Sequence, residues 1–214
     1  MIDNLTKYSP IVVFAPHTDD GEIGCGGFIA NCIEQGIEIY YVAFSSAQIS
    51  LAADAPKDTL IKEVKKATKV LGIKPENLIL FDFPTRKFPA YRQEILDEMI
   101  KIRVKIEPKL ILTPSLNDIH QDHATVAHEA LRAFKKQSIL CYEEPWNNIV
   151  FETNCFIKIT EKQLQKKIDA LNCYESQKRR VYLNSDAVRS LAIMRGTQLE
   201  GGYAEAFEVV RWML

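Results

Sequence analysis

The chain has 214 residues, 47% of them hydrophobic, with 27 Lys+Arg against 28 Asp+Glu. That length is enough to enclose a substantial core in one domain, residues 1–214. The near-balance of charge excludes a global basic field for nucleic acid, and no apolar run approaches the roughly 18–20 residues of a membrane span.

The opening MIDNLTKYSP is polar, unlike a secretory signal, and the five cysteines (25, 32, 141, 155 and 173) contain no Cys-x-x-Cys pair. Scattered reduced thiols in a cytoplasmic protein fit this usage better than a disulfide frame or a thiolate metal site. The sequence leaves a homo-oligomer open.

In chain order, strand-like runs are Ile11–Ala15, Ile37–Phe44, Leu78–Phe83, Leu110–Thr113 and Ile139–Tyr142. Helical patterns lie between them at Phe28–Gln35, Leu60–Leu71, Tyr91–Glu107 and His123–Lys136, with Gly36, Gly72 and Pro108 just after the first three. Strand–helix alternation with short connections predicts an α/β fold with a parallel sheet covered on both faces. The last third changes pattern: a strand at Cys155–Ile159, helices at Glu161–Tyr174 and about Asp186–Leu199, and a final strand at Tyr203–Met213.

Ligands of open parallel sheets sit beyond the carboxyl ends of the strands. Two loops there concentrate the chemistry. After the first strand comes Pro16-His17-Thr18-Asp19-Asp20-Gly21-Glu22, and after the fourth Asn117-Asp118-Ile119-His120-Gln121-Asp122-His123. Three of the four histidines fall in these loops. Adjacent aspartates near a low-dielectric interior repel unless a cation compensates them, and imidazole with carboxylate suits zinc better than magnesium or calcium. Three protein ligands and an open position would make a hydrolytic site, with a spare carboxylate as base.

The plainer alternative is that Asp19, Asp20 and Glu22 cap a helix and that His120 and His123 steady a loop. His128, five residues beyond His123 on the same helix, points elsewhere and reads as packing or surface. Gly24-Cys25-Gly26-Gly27 matches no phosphate-loop spacing. These glycines read instead as close approach of a helix to the sheet. Lys178-Arg179-Arg180 reads as a solvated face that could also meet a substrate phosphate.

The two motifs, HTDDGEIGCGG and HQDH, resemble the signature of the LmbE-like, or PIG-L, zinc-dependent N-acetylglucosaminyl deacetylases. Weaker echoes run through KIDALNCYESQ and RGTQLEGGYAEAFEVVR. The resemblance implies a Rossmann-like three-layer α/β/α fold with a mostly parallel sheet. It implies Zn2+ held by His17, Asp20 and His123, Asp19 as general base, His120 as the oxyanion-stabilising histidine, and Asp122 as the carboxylate that orients His120. Thr18 and Gln121 stand where the family motifs have proline, and Leu60 stands where many members have a sugar-contacting arginine. Arg86 is the candidate for that missing substrate contact.

The expected activity is removal of acetate from an N-acetylated amino-sugar conjugate, with Asp19 and a protonated His120 acting at the carbonyl. The expected pocket is walled by the Ser45–Lys57 loop and by residues 82–89. Rival readings are a deacylase of another small amide, a sugar- or nucleotide-binding relative without turnover, and a structural metal site with four protein ligands.

Overall fold

The computed structural model describes residues 5–52 and 54–213. The N-terminal residues 1–4, part of the stretch read as no secretory signal, lie outside that range. Seven strands form one sheet: β1 Ile11–Ala15, β2 Ile39–Ala43, β3 Leu78–Leu80, β4 Leu110–Pro114, β5 Ser138–Tyr142, β6 Cys155–Ile159 and β7 Tyr203–Arg211. Their spatial order is β3-β2-β1-β4-β5-β7-β6. The first five are mutually parallel, in register from Ile11 beside Ile39 and Leu110, whereas β7 runs antiparallel to both β5 and β6. Among the described residues no helix is long and apolar enough to cross a membrane.

Alternation along β1 divides the core. Ile11, Val13 and Ala15 pack with α1 (Asp20–Glu34), α2 (Thr59–Leu71) and α5 (Glu161–Leu171) on one face. Val12 and Phe14 point the other way, onto α3 (Arg92–Ile106) and α4 (Gln121–Ala133). Every residue of β1 is buried, as a strand covered on both faces must be. The expected three-layer α/β/α arrangement is observed. A last helix, α6 (Ser185–Gly196), packs on β7 and joins α5 through Leu164, Ile168, Val188 and Ala192.

Most element limits differ from the sequence expectation by one to three residues, as fraying ends do. The exception is α1, which starts at Asp20 rather than Phe28. Glycine lowers helix propensity, so the Gly-rich run reads as loop. Tertiary contact overrides that preference: a Cβ on Gly24 would lie 2.1 Å from the Tyr142 ring, so only glycine lets the helix reach the sheet here. α1 is also kinked at Cys25 (φ −145°, ψ 24°). The kink frees the amides of Gly27 and Phe28, which donate to the Glu205 carboxylate at 2.9 and 2.6 Å, and Lys167 pairs with Glu205 at 2.7 Å. β3 ends at Leu80, yet the amides of Phe81 and Phe83 still donate to the Ala43 and Phe44 carbonyls at 2.8 and 2.9 Å.

The chain leaves β1 toward β2 and β3 on one side and returns to β4 and β5 on the other. The crevice between the carboxyl ends of β1 and β4 is therefore the topological switch point where such sheets bind ligands.

Candidate active site

Both motif loops meet at that crevice. Asp20 opens α1 and is buried. Its Oδ2 accepts the His17 N–H at 2.7 Å, lies 3.3 Å from His17 Nδ1, and lies 3.3 Å from His123 Nε2. His17 Nδ1 and His123 Nε2 are 3.2 Å apart. These three atoms form a nearly equilateral triangle, with the edges expected of tetrahedral ligands about 2.0–2.1 Å from one ion, which are roughly 3.3 Å apart.

The other nitrogen of each ring meets a carboxylate. His17 Nε2 lies 3.0 Å from Asp122 Oδ2, and His123 Nδ1 lies 2.9 Å from Asp118 Oδ2. A proton shared on those outer sides leaves Nδ1 of His17 and Nε2 of His123 with lone pairs facing each other and Asp20, an arrangement common around bound metals. Two other triads could hold an ion, His17 with His120 and His123, and Asp20 with His123 and Glu144.

Acidic side chains crowd the site. Asp20, Asp118, Asp122 and Glu144 are all buried, and their ion-pair partners among the described residues are His17 and His123 alone. Glu144 Oε1 has no hydrogen-bond partner among the described residues. Burial, with the charges of Asp20 and Asp118, pushes the Glu144 carboxyl well up. Burial also works against ionised Asp20, but the imidazoles of His123 and His17 hold its carboxyl below the ordinary range. At His17 burial opposes the charged form, and Asp20 and Asp122 more than offset it, raising the imidazole to about 10. Uncompensated buried charge is costly, so this donor set fits a divalent cation.

Asp19 occupies the N-cap position of α1 without a side-chain bond to that helix. The helix-capping alternative does not describe it. Its carboxylate lines the cleft, and burial together with Asp20 raises it to about 6. Behind the turn, the Tyr41 and Tyr174 hydroxyls lie 2.9 and 2.7 Å from the Thr18 carbonyl. Both also reach the Glu22 carboxyl, which burial pushes up to about 8. This packing fixes the path of the chain between His17 and Asp20.

His120 is the N-cap of α4, and its Nδ1 accepts the Asp122 N–H at 3.2 Å. The helix-start reading of His120 is thus partly right. Burial, with the neighbouring rings of His123 and His17, lowers His120 to about 4. Both this shift and the bond to Nδ1 favour a neutral ring carrying its proton on Nε2, in place of the protonated His120 expected from sequence.

The role expected of Asp122 also needs correction. Its carboxylate does not meet His120; it takes His17 and the amides of Arg86 (2.6 Å) and Phe88 (3.1 Å). These bonds hold it ionised below the usual range despite burial. Its position in the first turn of α4 directs the side chain back across the crevice.

The cleft has a volume of about 270 Å³, at the small end of ligand sites. Ala47, Ser50, Thr85 and Arg86 line it, as do Trp146 and Leu60, so both expected walls are present. The Lys178–Arg180 run is not uniformly solvated. Lys178 and Arg179 are exposed, but Arg180 turns inward to line the cleft, its Nε bonded to Gln177 Oε1 at 2.6 Å and its Nη1 to the Tyr182 hydroxyl. His128 is exposed.

Sequence reasoning assigned no role to Asp118 or Glu144, and it singled out Arg180 only within a run that could meet a substrate phosphate. Asp118 stood inside the second motif, two residues before His120. Glu144 could have been found as an acidic residue just past the carboxyl end of β5.

The profile of the family described as PIG-L: GlcNAc-PI de-N-acetylase matches residues 12–134. Among curated relatives, the uncharacterized deacetylase YaiS of Escherichia coli (strain K12) is 26% identical over 184 residues, covering 82% of this chain and 96% of that one. The diacetylchitobiose deacetylase of Thermococcus kodakarensis is 23% identical over 224 residues, covering 94% and 82%. Among solved structures, the N,N'-diacetylchitobiose deacetylase of Pyrococcus horikoshii superposes with a TM-score of 0.81 at 18% identity, covering 98% of this chain and 87% of that one. The fold also carries other chemistry, since GalB, a 4-carboxy-2-hydroxymuconate hydratase from Pseudomonas putida KT2440, superposes at 0.79 with 20% identity, covering 95% and 97%. With more than half of its length matched by the family profile and named deacetylases among its relatives, the chain belongs to the PIG-L (LmbE-like) family of deacetylases.

Proposed function

We propose that this protein is a zinc-dependent N-deacetylase that removes acetate from an N-acetylglucosamine-type conjugate in the reducing cytoplasm. The observation that carries the reading is the 3.2–3.3 Å triangle of His17 Nδ1, Asp20 Oδ2 and His123 Nε2 beside the uncapped carboxylate of Asp19. The chitobiose deacetylase relative supports the substrate class, and five free thiols fit a reducing compartment.

His17, Asp20 and His123 would hold the ion. His120 is set aside as a ligand because its Nδ1 accepts an amide proton, leaving Nε2 protonated. When bound, zinc supplies Lewis acidity and lowers the pKa of water to about 7. The chain's own groups do the rest. Asp19 takes the proton from the water that attacks the acetamide carbonyl, and its burial raises the carboxyl toward the range that suits a base at neutral pH. His120 Nε2–H donates to the oxygen that gains charge, a neutral donor held by a helix N-terminus. Asp19 then returns its proton to the leaving amine as the C–N bond breaks, giving acetate and the free amino sugar.

The direct test is acetate release from a panel of N-acetylhexosamine conjugates, before and after chelation and on returning zinc. No acetate from any member, with one zinc per chain present, would overturn the deacetylase reading for this substrate class.

A further inference from the structure

A second cavity, of about 630 Å³, lies beneath α6 and abuts the catalytic cleft. Its walls are apolar: Ile23 from α1, Val188, Leu191 and Ala192 from α6, and Ala204 and Ala206 from β7. The charged groups that reach it are already neutralised in pairs, Lys167 with Glu205 at 2.7 Å and Arg195 with Glu143. Nothing in the proposed hydrolysis uses this space.

Two rings separate it from the cleft. Trp146 and Tyr182 stack face to face, with centroids 3.7 Å apart and planes 10° apart, and both line both cavities. On the cleft side Arg180 holds the Tyr182 hydroxyl. Both rings are half-buried, so their free edges form a lip that one molecule can cross. Val181 and Met194 also line this cavity and are 82% and 61% exposed.

Resting on the deacetylase reading, we infer that the cavity beneath α6 is a subsite for an alkyl aglycone carried by the acetylated sugar. The sugar lies in the polar cleft, and its aglycone crosses the Trp146–Tyr182 lip. A charged aglycone would find no free counter-charge in this cavity, whereas each buried methylene is worth about fourfold in affinity.

The test compares methyl and octyl 2-acetamido-2-deoxy-β-D-glucosides on the zinc-loaded protein. The octyl compound should show a KM at least about tenfold lower. Ala192→Phe, which fills the cavity, and Met194→Glu, an exposed change that charges its mouth, should each bring the KM ratio toward one. Calorimetric titration with the octyl glycoside below its micelle concentration, on metal-stripped protein, gives a second readout independent of turnover. Turnover of both compounds with equal KM would overturn the subsite and leave the deacetylase reading intact. Octyl binding that Ala192→Phe abolishes, with neither compound turned over, would keep the subsite and remove the deacetylase reading. A concentration-dependent dimer dispersed by Met194→Glu, with equal KM values, would assign the surface to a second copy and overturn the proposal.

Discussion

The Asp122 carboxylate is bonded to His17, Oδ2 to Nε2 at 3.0 Å, while only its backbone amide reaches His120. It therefore acts on a ring of the proposed metal triad and not on the proposed oxyanion donor. Asp122→Ala should weaken zinc affinity by about 10–100-fold, the usual cost of losing such an outer partner. Competition against a chromophoric chelator measures this. Native zinc affinity with lowered kcat would return Asp122 to the His120 side of the mechanism.

Asp19 and Asp20 differ by one position and should separate cleanly. Asp19→Asn should keep zinc and the fold yet lose about 10²–10⁴ in kcat, since an amide cannot accept the proton of water. Asp20→Asn should empty the site, because its Oδ2 is the oxygen shared by both imidazoles. Metal content and turnover measured on the same preparations decide it. A full site in Asp20→Asn with an empty one in Asp19→Asn would reverse the two roles.

His120→Ala should retain one zinc per chain and lose on the order of 10²–10³ in kcat, the cost of one oxyanion donor. If zinc were lost with His120, the alternative triad of His17, His120 and His123 would be the correct one.

Arg86 and Arg180 line the cleft together with Leu60, and both are proposed substrate contacts. Each arginine changed to alanine should raise KM more than it lowers kcat if the contact is made equally in ground and transition states. Arg180 should show the larger effect, because Gln177 and Tyr182 hold its guanidinium in place, whereas Arg86 is exposed. An unchanged KM for either variant on the true substrate removes that residue from recognition.

Gly24→Ala tests the fold. The added carbon would lie 2.1 Å from Tyr142 Cδ2, on a ring that is fully buried and whose hydroxyl bonds the Phe14 carbonyl at 2.9 Å. Overpacking of this kind costs about 1–3 kcal/mol. Chemical denaturation should show a lower midpoint at unchanged slope. Native stability would mean that α1 shifts freely and that its glycines are not close-approach residues.

The alternation of apolar strands with helices, the placement of three histidines at strand ends, and the adjacency of Asp19 and Asp20 all lie in the order of residues, so the α/β class and the zinc hypothesis were legible there. These features depend on local periodicity and on the rule that parallel strands present their carboxyl ends to ligands. Which atoms face one another does not. Asp122 and His120 are neighbours in the chain, yet a carboxylate in the first turn of α4 reaches across the crevice to His17. Glu144, just past β5, and Arg180, after α5, reach the site only because the sheet order brings β5 beside β4 and the helices on one face close over its end. Likewise α1 begins at Asp20, against the preference of its glycines, because close contact with Tyr142 outweighs a local cost of about 1 kcal/mol per glycine. Residue type and spacing determined the chemistry on offer; only packing across the sheet decided which partner each group received.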